Sequence, residues 1–232
     1  MINFNLYICF LLLIITTISS AQNYQATYLV KLDQKRKSSY IEELNEKKSK
    51  DLSSISLIRQ LEQKQPVKAV LLFNKNKSVY KVLDHLNRDD FNFSGFLKAI
   101  AGGDDIYFNT LDNQFKLELM EGEKNYVSKK RIDWQISNQT KTINDQSCRM
   151  AFDKNNPSVQ AWFNENLGLP FGPLHFFGLP GLIYEVDYMY FEFKLINLAQ
   201  TKEKISIPKN VEIISPTDFY DKYNIKNPFI KN

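Results

Sequence analysis

Short runs of alternating apolar and polar residues, cut apart at close intervals by turn formers, constrain this chain more than any other feature. Over residues 24–32, Ala26, Tyr28, Val30 and Leu32 fall on one side, with Gln25, Thr27 and Lys31 on the other. Side chains two apart share a face only in extended backbone, so the run reads as a half-buried strand. The pattern recurs at 67–73, 78–83, 106–110, 114–120, 125–129, 132–137, 147–153 and 158–164. Leu111-Asp112-Asn113, Glu121-Gly122-Glu123, Asn144-Asp145 and Asn155-Asn156-Pro157 separate the later runs. These gaps are too short for the crossover helices that parallel strands need, so antiparallel hairpins are predicted.

Further on, Leu182, Tyr184, Val186 and Tyr188 share one parity, and Phe191, Phe193 and Leu195 the other. A change of parity requires a turn or bulge near 187–190. Residues 205–214 read as a last strand, with Pro208 demoting part of it to an edge. A polar, aromatic tail begins at about residue 215, with a short helix over 216–223. Earlier, Leu52, Ile55, Ile58 and Leu61 recur at helical spacing within 42–65, and Pro66 stops the pattern. The expected fold is mainly β (α+β). It is a curved antiparallel sheet or half-barrel meander with one main amphipathic helix, in a single domain over 22–232.

Residues 1–21 are expected to stand apart. Residues 6–15 are apolar, and Ser19-Ser20-Ala21 is a small-residue cleavage pattern before Gln22. This reads as a secretory signal, since a membrane span needs about 20 apolar residues. An exported protein without a transmembrane span follows, periplasmic, outer-membrane-associated or secreted. The net charge of +4 is spread over basic runs such as Lys129-Lys130-Arg131, read as solvated faces. Nucleic acid is not an expected partner, because its binders carry a denser basic stripe.

Little in the sequence points to catalysis. Cys148, His85 and His175 are too few and too scattered for a zinc site, and no metal or cofactor is expected. No Gly-x-Ser-x-Gly elbow and no phosphate-binding glycine loop is present. The adjacent carboxylates of Asp89-Asp90 and Asp104-Asp105 would point to opposite faces of a strand. The enzymatic alternative is a hydrolase or thiol-dependent catalyst using Cys148 and His175. Against it, Cys148 shares its parity with Met150 and Phe152, which places the thiol in an apolar face. The non-enzymatic reading is preferred.

Aromatic residues are abundant, with 17 Phe, 12 Tyr and 2 Trp. Trp134 and Trp162 lie on neighbouring predicted strands. Between residues 169 and 177 backbone breakers alternate with Phe171, His175, Phe176 and Phe177, which suggests an ordered loop pinned to the core. Leu179-Pro180-Gly181-Leu182 fits a type II turn, with Pro at the second position and Gly supplying a positive φ at the third. This loop reads as a structural corner in preference to a docking surface. If it does bind, the surface is expected near Trp162, Phe171, His175, Phe176 and Leu179.

The hexapeptide Gly178-Leu179-Pro180-Gly181-Leu182-Ile183, with Cys148, Ala151 and Trp162 upstream, resembles the GLPGLI family of Bacteroidetes. That resemblance implies an exported cell-envelope protein with no assigned activity. The expected role is a binding or accessory protein for an apolar ligand or an envelope partner.

Overall fold

The computed structural model describes residues 22–34, 36, 38, 65–83 and 94–225. The N-terminal apolar segment, the expected helix over 42–65 save its last residue, His85 and Asp89-Asp90 lie outside them. No helix among the described residues is long and apolar enough to cross a membrane.

The alternating runs form strands β1 (Asn23–Leu32), β2 (Val67–Phe73), β3 (Lys77–Val82), β4 (Ile106–Thr110), β5 (Gln114–Met120) and β6 (Glu123–Ser128). They continue as β7 (Trp134–Ile143), β8 (Gln146–Asp153), β9 (Asn156–Asn164), β10 (Leu182–Tyr188) and β11 (Phe191–Thr201). With a twelfth strand, β12 (Ile213–Ile214), all belong to one 12-stranded sheet, in the order β12-β6-β5-β4-β3-β2-β1-β11-β10-β9-β8-β7. It consists of two antiparallel meanders, β1 to β6 and β7 to β11, joined where β1 pairs with β11. The parity change expected near 187–190 is a tight hairpin, with Tyr188 opposite Phe191 and Met189 at φ 55°.

The expected strand over 205–214 shrinks to β12 (Ile213–Ile214), which runs parallel to β6 and makes the sheet mixed at that edge. Pro208 cannot donate to a ladder, and Ile205 is buried without strand pairing. Strand β7 is longer than its pattern suggests, because its second half is polar and bulged between Ile136 and Thr140. Helix α1 (Ser94–Ala101) was not legible in its sequence and ends at Gly102 and Gly103, both at positive φ. Helix α2 (Pro216–Lys222) starts where expected. Ser215 caps it, accepting from the Asp218 amide while the Asp218 carboxylate takes the Ser215 amide.

Chain connectivity forces the sheet to curl. Laid flat, β6 and β7 would stand roughly 48 Å apart, at about 4.8 Å per strand step. Only residues 129–133 join them, and such a link reaches about 20 Å at full extension. The two ends of the sheet must therefore approach each other, although no ladder closes them.

The segment 165–181 and α1 fill the curl. Phe171 lies 6.1 Å from Phe73 on β2, and Phe176 lies 6.1 Å from Phe193 on β11 and 6.5 Å from Trp134 on β7. Gln114 on β5 donates to the carbonyl of His175 at 2.8 Å. One short segment touches such distant strands only from inside a curved sheet. Tyr28 donates to the carbonyl of Ile183 at 2.5 Å and Tyr80 to that of Ala101 at 2.8 Å, so each buried phenol is satisfied. Trp134 and Trp162 do not sit on adjacent strands, since β8 separates them. Through Ala151 and Ala161 the register puts them on opposite faces.

Candidate functional site

The residues singled out from the sequence divide into a core group and an accessible group. Phe171 and Phe176 are fully buried, Leu179 is 1% exposed, and Leu182 and Ile183 are fully buried. They form the packed interior of the curl and present no surface. Gly178 and Pro180 are exposed at the corner itself.

The expected type II turn is not what the glycines provide. Gly178 has φ +100°, whereas Gly181 does not take a positive φ. Gly181 is needed for closeness, because a β-carbon there would collide with the Asn164 carbonyl. Gly178 N–H donates to Pro170 O and Ile183 N–H to Phe171 O, both at 2.9 Å. The hexapeptide of residues 178–183 thus staples the aromatic segment to the start of β10.

His175 is half-buried, with its ring 4.6 Å from that of Phe176 and 6.3 Å from that of Tyr188. Burial, then the nearby ammonium groups of Lys129 and Lys116, push its pKa down to about 3. An imidazole so depressed is neutral and weakly basic at pH 7. Around it the inner face of the sheet turns polar. Ala26, Leu71, Tyr80, Tyr107 and Lys116 lie in one cross-strand row, which turns charged at Lys116 before it reaches Val127 on β6. Lys116 lies 2.7 Å from Asp105 and also pairs with Glu118. Burial lowers the Lys116 pKa, but its hydrogen bonds to those carboxylates outweigh this and leave it raised. Lys129, expected on a solvated face, is half-buried, and burial with the repulsion of Lys116 lowers its pKa.

Trp162 stands half-buried on the outer face, capped by Lys141 with its ammonium 4.3 Å from the ring centroid. Lys141 pairs with Glu185, the cross-strand neighbour of Trp162. Cys148 is fully buried on β8, where burial pushes its thiol up to about 11. Its surroundings are Lys141, Tyr184 and Glu185, and none of the groups around His175 is among them. The structure does not bring Cys148 and His175 together.

An accessible concavity lies elsewhere. A groove of about 530 Å³ runs between the second half of β11 and a wall formed by the β7–β8 hairpin tip and the residues after β9. Asn144, Gln146, Asn164 and Asn166 line that wall, with Tyr24, Leu167 and Tyr184 beside them. The volume falls in the range of small-ligand and peptide sites. Neutral amides dominate its polar groups, which suits recognition by hydrogen bonding and offers no nucleophile or acid–base pair. Sequence reasoning passed over these residues, since amides far apart in the chain have no spacing to reveal them.

No family model matches the chain, and no curated protein matches it. Similarity appears at the level of the fold. A solved structure of PNGF-II in space group C2 superposes with a TM-score of 0.54 at 13% identity, over 87% of this chain and 32% of that one. A second, in space group P21, gives 0.54 and 15%, over 87% and 33%. The chain thus spans about a third of the PNGF-II chains it resembles. At such identities the likeness speaks for the shared sheet architecture alone.

Proposed function

We propose that this chain is an exported, non-enzymatic binding or accessory protein of the cell envelope, and that it takes its ligand in the groove beside β11. The groove carries the reading. It is a concavity of about 530 Å³ that amides and tyrosines line. Export is supported by the apolar segment and small-residue pattern of residues 1–21. The GLPGLI resemblance at residues 178–183 supports an envelope setting. The thiol-dependent alternative lacks its constellation. Cys148 is buried and protonated at neutral pH, and it stands apart from His175.

Native mass spectrometry of the protein purified gently from its own envelope fraction tests this reading. A co-purifying mass that is lost when Asn166→Trp fills the groove is the expected result. A bare monomer, or a bound mass indifferent to that change, would overturn it.

A further inference from the structure

The groove has an unusual wall. Strand β10 pairs with β11 only as far as Lys194. From residue 195 to 201 β11 pairs with β1 alone among the described residues, so its other backbone edge faces the groove. An unpaired strand edge presents a row of N–H and C=O groups at strand spacing, and folded proteins commonly blunt such edges. The outer edges of this sheet are blunted. Strand β12 is two residues long, and β7 is bulged between Ile136 and Thr140 and carries Lys141. Residues 195–200 contain no charge and no proline, and Ile196 is 45% exposed. Their one irregularity is the register shift opposite Thr27 and Tyr28.

A side chain already does to this edge what a neighbouring strand would do. The amide of Asn144 donates to the carbonyl of Leu195 at 2.8 Å, which is the contact an adjacent peptide N–H would make. Across the groove Asn166 donates to Gln146 Oε1 at 2.9 Å. That leaves Gln146 Nε2 and Asn166 Oδ1 with no partner among the described residues. A backbone edge on one side and neutral amides on the other are matched by a chain carrying donors and acceptors along both of its edges. An acyl chain would bury that edge unsatisfied. A sugar lacks the strand repeat.

We infer that the groove accepts an extended peptide segment of a partner protein, which adds as a strand to residues 195–200 of β11. The inference rests on the reading of this groove as the ligand site and names the class of ligand.

The test selects random phage-displayed peptides on the full mature chain, then resynthesises the hits with blocked ends. Binding is followed through the backbone amide signals of ¹⁵N-labelled protein. Expected are shifts at residues 195–200, slowed hydrogen exchange there, and a roughly tenfold or greater loss of affinity when alternate peptide nitrogens are methylated. Because the modification sits on the peptide, folding of the protein is not at issue. Hits that bind equally well when methylated, or that shift other signals, would overturn strand addition. If maltohexaose or palmitate moves the signals of residues 195–200 and no peptide does, the groove stands as a binding site and the peptide is wrong. If no probe moves them, both ideas fail.

Discussion

Gly181 lies so close to the carbonyl of Asn164 that no side chain fits between the corner and the end of β9. Nothing stands within 4 Å of where a β-carbon on Gly178 would be, yet its φ is +100°. The two glycines therefore answer different needs, and alanine separates them. Gly181→Ala must push two backbone segments apart and is expected to cost about 3 kcal/mol or more. Gly178→Ala meets only conformational strain, at about 1–2 kcal/mol. Urea denaturation of the two variants measures the difference.

Burial and two nearby lysines depress His175 to a pKa of about 3. The unfolded chain therefore takes up a proton near pH 6.5 that the folded chain refuses. Stability from this residue is fully present above pH 6.5 and is lost as pH falls toward 3. Between pH 6.5 and 5 the loss is expected to be about 2 kcal/mol. His175→Phe should keep the stacking on Phe176 and remove that slope. Thermal unfolding across this window, with the same slope in both proteins, would show the assignment to be mistaken.

Asp187 works with the opposite sign. Burial raises its pKa to about 6; Arg36 opposes the shift, while Glu185 and Asp33 add to it. The folded state holds this proton longer than the unfolded state, so stability falls as pH rises from about 4 through 6. Asp187→Asn is expected to gain on the order of 2 kcal/mol at pH 7.5 and little at pH 4. Paired denaturation curves at the two pH values check it.

The thiol of Cys148 is buried and displaced up to about 11. Iodoacetamide at pH 7 should label the native protein at least roughly a hundredfold more slowly than the denatured chain. Rapid native labelling, read by intact mass, would reopen the thiol chemistry that the structure disfavours.

Period-two alternation made most strands visible, because burying one face of a sheet writes itself directly into local sequence. Tyr188 and Phe191 even announced their hairpin through the change of parity. What stayed hidden depends on partners far along the chain. The pairing of β1 with β11 leaves no local trace, and nor does the edge that β10 abandons at Lys194. The polar half of β7 has no alternation because it lies at an outer edge. At Gly181 the composition looked like turn chemistry, but the constraint is the approach of Asn164, a residue on another strand. Lys129 was similarly opaque, since a lysine beside Lys130 and Arg131 carries no mark of the burial that the curl imposes. The groove amides are legible only once three separate segments have met.

The first meander is bracketed at both of its edges by strands from the end of the chain, β11 against β1 and β12 against β6. A ribosome delivers those bracketing strands last. Until residue 191 emerges β1 waits with an open ladder, and β6, once made, waits until residue 213, each exposed to any passing strand. Vectorial synthesis therefore sets a delay before this sheet can be sealed, and truncation before residue 191 leaves a product with both flanks adhesive.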